Sequence, residues 1–169
     1  MIYKASMDTL CKVMTVLVFI LFLALAQRSI RVIFLAQGNG TIILMHVGIL
    51  ILYISILLFS YLYAPQSYTL TDKELSINRP AKNKSIPIEE ITEVRLPISS
   101  DFLGTIRTFG VGGLFGYYGK YYNSRIGSMT WYVTQRKNRI LIRTKKEEKI
   151  IISPDDISLL DALQNKVRK

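Results

Sequence analysis

A single cysteine and a single histidine in 169 residues exclude several kinds of chemistry at once. With Cys11 alone, no intrachain disulfide and no cysteine-based zinc site can form. It lies at the start of the first apolar segment, where lipidation is one reading and a small apolar filler the commoner one. His46 falls inside the second apolar segment. Neither apolar segment contains an acidic partner for it, which argues against a proton relay and for a histidine near the outer interface, bonded to backbone or water. Acidic residues are scarce overall, 12 against 22 Lys and Arg, and formal net charge is +10.

What the chain has instead is long hydrophobic sequence near its start. Thr41 to Tyr63 runs 23 residues without Asp, Glu, Lys or Arg. At about 1.5 Å of helical rise per residue, such a run spans the roughly 30 Å hydrocarbon core of a bilayer. The preceding segment is less clean. Val13 to Ala26 is apolar, Gln27 and Arg28 follow, and Val32 to Ala36 is apolar again after Arg31. This reads as a helix over about 13–36, with Arg28 and Arg31 on one face and snorkelling to the interface. The rival reading is a cleaved signal peptide ending near Ala24-Leu25-Ala26. The long leading region, Asp8 and the return of apolar sequence favour a retained helix, paired through Gly38-Asn39-Gly40 with a second over 41–63. Lys4, Lys12, Lys73, Arg79, Lys82 and Lys84 flank one side of this hairpin, against Arg28 and Arg31 on the other. The positive-inside rule therefore puts both termini in the cytoplasm.

Residues 1–65 thus form a membrane hairpin, and 66–169 are enough for one compact domain. That domain holds 18 of the 22 Lys and Arg but 11 of the 12 Asp and Glu, a net +7. Such charge suits a domain held against an anionic leaflet, through specific lipid contact or simply by avoiding repulsion. Nucleic acid is the poorer fit for a basic surface in an anchored chain.

Short strand patterns fill the domain. Tyr68 to Asn78 alternates through Leu70, Leu75 and Ile77 about a polar Asp72-Lys73 turn, a hairpin signal. Ile86 and Ile88, then Ile91 and Val94, mark two more strands. Trp131–Thr134, Ile140–Thr144 and Lys149–Ile152 mark another three. Closely spaced strands with polar turns indicate a small antiparallel sheet or barrel. The period then changes. Ser153-Pro154-Asp155-Asp156 reads as a helix start with Ser153 as N-cap, and Ile157, Leu160, Leu163 and Val167 form the apolar stripe of a closing helix.

Six of the ten glycines fall within Gly110–Gly127. Gly119-Lys120 is followed by Tyr121 rather than Ser or Thr, so this is no phosphate loop, and no dinucleotide fingerprint fits either. No cofactor-binding pattern or metal-ligand cluster occurs. The stretch reads as a long, tightly bent loop. Its Arg107, Tyr117, Tyr118, Lys120, Tyr121, Tyr122 and Arg125 form an aromatic and basic set suited to a headgroup interface; alternatively the rings cover the barrel. Arg79, Lys82 and Lys84 form a second basic loop.

The run from Ile106 to Asn123, with Gly127-Ser-Met-Thr-Trp-Tyr-Val-Thr134 and Ile151-Ile-Ser-Pro-Asp-Asp156, resembles bacterial pleckstrin-homology-like membrane proteins over about residues 68–163. The resemblance implies an α+β architecture: two transmembrane helices, then an antiparallel barrel of about seven strands capped by a C-terminal helix. It implies no reaction. The expected function is a non-enzymatic binding or scaffolding module at the bacterial cytoplasmic membrane, engaging a protein, peptide or lipid headgroup. An accessory subunit acting through its hairpin is the alternative. An enzyme ranks last, because the domain has no His or Cys and its carboxylates have structural explanations.

Overall fold

A computed structural model describes residues 1–167; Arg168 and Lys169, the end of the expected second domain, lie outside the described residues. Helix α1 spans Thr9–Leu35 and α2 spans Gly40–Tyr63. The first starts four residues before the apolar run, because the Asp8 carboxylate accepts from the Cys11 N–H at 2.8 Å and caps it. Gln37 and Gly38 take positive φ (45° and 84°) to reverse the chain, and Asn39 caps α2. The helices fold back on one another, with Phe22 stacked on Tyr53 at 4.9 Å.

Both helices are long and apolar enough to cross a membrane. Their burial is the reverse of a core helix. Only Cys11, Thr15 and Ser29 are buried in α1 and only Ser60 in α2, while large side chains such as Phe19, Leu23, Leu44, Ile54 and Phe59 are exposed. Among the described residues, none provides a hydrogen-bond partner for the Nδ1 of His46.

Ten strands form two sheets among the described residues. The first, all antiparallel, has the order β1 (Ile2–Lys4), β2 (Ser67–Leu70), β3 (Glu74–Asn78), β4 (Lys84–Pro87). Residues ahead of α1 therefore belong to a sheet whose other strands follow α2. A cleaved leader would take this strand with it.

The second sheet has the order β5 (Ile91–Arg95), β9 (Ile140–Thr144), β10 (Lys149–Ile152), β8 (Gly127–Val133), β7 (Tyr117–Asn123), β6 (Ile106–Gly112). Its β8 and β10 run parallel, with Ile151 opposite Trp131. The sheets are not closed into the expected barrel, and the strand count exceeds the expected seven because β1, β6 and β7 were not legible as strands.

Two hydrophobic clusters explain the unbroken apolar runs Ile140-Leu141-Ile142 and Ile150-Ile151-Ile152. The even-numbered isoleucines pack with Tyr68, Leu75, Ile77 and Leu163 between the sheets and α3 (Ser158–Val167). Leu141 and Ile151 point the other way, into a cluster with Tyr117, Tyr121, Met129, Trp131 and Cys11. Strands covered on both faces lose their polar alternation. Cys11 is fully buried there, as a filler and not a lipidation site.

Helix α3 starts later than Ser153-Pro154-Asp155-Asp156 suggests. Asp156, not Ser153, accepts from the Ser158 N–H at 2.9 Å. The Ser153 hydroxyl is buried and accepts from the Thr134 and Gln135 N–H groups, while Asp155 accepts from the N–H and hydroxyl of Ser6. The polar cluster is spent on tying β8 and the N-terminal segment to the core.

Tyr68 joins the two sheets. Its hydroxyl donates to the Tyr132 carbonyl at 2.8 Å and accepts from the Ser153 N–H at 3.1 Å, and burial pushes its phenol up to about 12. Tyr68→Phe leaves a buried donor and acceptor unpaired. The expected loss is about 1–3 kcal/mol in denaturant unfolding of the detergent-solubilised chain; an unchanged midpoint would remove Tyr68 as the tie.

Candidate functional site at the junction of helices and sheet

The glycine-rich stretch is a β-hairpin, β6–β7, that continues into β8, rather than a long loop. Glycine is required where the two strands come closest. Gly110 and Gly119 face each other with φ of 113° and 124°. A Cβ on either would lie 2.3 Å from a backbone carbonyl oxygen of the opposite strand. The register also shifts between Arg107 and Phe109, so the hairpin is bent at its middle.

This bend carries the hairpin tip to the helices. The Thr15 hydroxyl on α1 accepts from the Phe115 N–H at 3.0 Å and lies 3.3 Å from the Gly113 carbonyl. The Phe115 ring meets Phe19 of α1 edge-on at 6.0 Å and Tyr61 of α2 at 5.6 Å. The tip is thus wedged against both helices.

Strand alternation sorts the tyrosines to two faces. Tyr117 and Tyr121 turn to the Cys11 side. Tyr117 donates to the Asp8 carboxylate at 3.2 Å; burial and that carboxylate push its phenol up to about 12. Tyr121 stacks on Trp131 at 4.2 Å and donates to the Val111 carbonyl. Both are buried in packing. Tyr118, on the opposite face, is also buried and donates to the Ser60 carbonyl at the end of α2, with its phenol raised by burial. Tyr122 is exposed, as are Arg107 and Arg125.

Of the basic residues, the structure brings Arg79 and Lys120 to one place and leaves the others apart. Lys82 is exposed and Lys84 lies 3.9 Å from Glu148. The Arg79 guanidinium stacks near Tyr63 at 5.7 Å and Tyr132 at 5.3 Å, with its Nε donating to the Lys82 carbonyl. Lys120 donates to the Thr130 hydroxyl at 2.8 Å. Between them lies a cleft of about 590 Å³, bounded by the end of α2 and the outer face of β6–β8. Phe59, Tyr63, Phe109 and Val111 make its walls, and sequence reading missed all four. The available signal was the period of two, which puts Phe109 and Val111 on the face of Tyr118 and Lys120.

Among the described residues, no group of three or more His, Cys, Asp or Glu side chains gathers that would hold a metal ion. A family model for a bacterial PH domain matches residues 66–167. The chain belongs to the bacterial PH domain family. No curated protein and no solved structure is a significant match. The matched span begins just after α2, so the two apolar helices and β1 precede it, and the cleft is formed where the matched region meets one of those helices.

Two outcomes test this junction. Gly119→Ala should cost about 3 kcal/mol or more, since strain at positive φ adds to a clash with fixed backbone; a melting temperature equal to wild type would show that the strands can separate there. Asp8 also gives a pH signature. Burial opposes its charge, yet the N–H groups of Cys11 and Arg136, the Arg136 side chain and Tyr117 hold it below the ordinary 3.8. A lowered carboxylate stabilises the fold above its unfolded value and loses that contribution as pH falls through its folded value. Asp8→Ala should therefore cost about 1–2 kcal/mol near neutrality, and the difference from wild type should shrink below about pH 4. A pH-independent difference would assign the loss to packing alone.

Proposed function

We propose that the chain is a membrane-anchored, non-catalytic binding module. Its helices cross the bacterial cytoplasmic membrane as a hairpin and hold the PH domain on the cytoplasmic face, where it engages a protein, peptide or lipid headgroup. The observation that carries this reading is the wedge of Phe115 against Phe19 and Tyr61. It fixes the domain to two helices whose large apolar side chains are exposed along their length. Such faces need a hydrocarbon surround, and a domain joined rigidly to them lies at the headgroup level. The orientation follows from the excess of Lys and Arg on the side of both termini. The candidate contacts are Arg79 and Lys120 at the cleft, with Tyr122, Arg107, Arg125, Lys82 and Lys84 as the surrounding exposed or half-exposed set.

Extraction and topology test the anchor together. The full chain should stay in the membrane pellet through an alkaline carbonate wash. Protease should digest the PH domain in inverted vesicles but not in intact spheroplasts. Release by carbonate, or digestion in spheroplasts, would refute it.

A further inference from the structure

The cleft beside α2 combines an apolar surface with two cations that have no acidic partner. Its surface is mostly apolar, with Phe59 and Tyr63 on the helix side and Phe109 on the strand side, and Phe109 is 78% exposed. Yet two cations, Arg79 and Lys120, border it, and no acidic side chain lines it. Neither cation forms an ion pair among the described residues. The polar contact of Lys120 is the neutral Thr130 hydroxyl, and that of Arg79 is the Lys82 carbonyl through Nε alone. A guanidinium held by two aromatic faces and bonded through one nitrogen keeps its terminal N–H groups for an anion.

The position narrows what the anion belongs to. Phe59 lies within the apolar length of α2 and is exposed, so one wall of the cleft is continuous with the face that the helix turns to lipid. Tyr63 is the last residue of α2, at the place where aromatic side chains sit among headgroups. The volume of about 590 Å³ falls in the range of roughly 300–1,000 Å³ typical of small-molecule sites, enough for a headgroup and the start of a chain.

On the reading that α2 spans the membrane, we propose that this cleft binds one anionic phospholipid of the inner leaflet. The phosphate is held by Arg79 and Lys120, and the start of an acyl chain lies along Phe59 and Phe109. The site differs from the exposed Lys82 and the ion-paired Lys84 in having both a charge and an apolar wall. A soluble anion would use only the former.

Native mass spectrometry of the full chain in detergent tests this, with equal amounts of phosphatidylglycerol and phosphatidylcholine bearing the same acyl chains. One phosphatidylglycerol should be retained in preference. Arg79→Gln with Lys120→Gln should lower that retention roughly thirtyfold, as expected for two cations of about 1 kcal/mol each near an anionic headgroup. Val111→Trp, which fills the cleft and leaves both cations, should lower it as well, and Lys137→Gln with Lys145→Gln, at two exposed lysines outside the cleft, should not. Equal retention of both lipids, or retention unchanged by the cleft substitutions, would overturn the proposal. Displacement by inorganic phosphate alone would make the ligand a free anion and overturn the lipid assignment. Failure of the anchor itself would show separately, as release of the chain by carbonate whichever lipid it prefers.

Discussion

The contact between Thr15 and the turn Gly113–Gly116 is the constraint on which the architecture depends. A hydroxyl two turns into an apolar helix normally bonds back to its own helix, and Thr15 does so through the Cys11 carbonyl. It also accepts the Phe115 N–H, which the tight turn leaves without a strand partner. Each such bond contributes about 1 kcal/mol net. Its larger effect is positional, because it sets the depth to which Phe115 enters between Phe19 and Tyr61. The Gly110–Gly119 approach, the cleft and the placing of Tyr118 on Ser60 all follow from a hairpin bent to reach that point.

A second tie closes the structure from the other end of the sequence. Strand β1 pairs with β2, Ser6 bonds Asp155, and Asp8 joins the start of α1 to Tyr117 and Arg136. The chain therefore enters α1 from a sheet and leaves α2 into the same sheet. Both helix ends on that side are held by folded structure, whereas the far ends are joined by a short turn. A module of this kind transmits position from the helices to the sheets rather than flexing on a linker.

What was legible in the sequence was whatever repeats. The two helices show in the length of their apolar runs, β2 to β5 in alternation, β8 to β10 in short apolar runs between polar turns, and α3 in helical spacing. What was not legible depends on contacts between distant residues. Ile2–Lys4 is too short to signal a strand by itself and is one only because Ser67–Leu70 lies beside it. The β6–β7 hairpin hides because glycines replace the expected β-branched residues, and their reason is a cross-strand distance no pattern encodes. Ser153 has the chemistry of an N-cap, but the Thr134 and Gln135 N–H groups claim its hydroxyl. The parallel pairing of β8 with β10 was equally hidden, since short polar turns suggest a simple meander.

The candidate site illustrates the same division. The aromatic and basic residues of the hairpin were identifiable by composition, but alternation divides them between two faces. Tyr117 and Tyr121 serve the core, and Tyr118 and Lys120 face the helix. Arg79 reaches the same cleft from the first sheet, across a sequence gap of 41 residues to Lys120. Its stacking between Tyr63, on α2, and Tyr132, on β8, makes the cation part of the joint itself. The cleft is therefore no incidental hollow of the PH domain. One wall is helix α2, the other is the domain, and a cation stacked on a ring from each stands at their meeting.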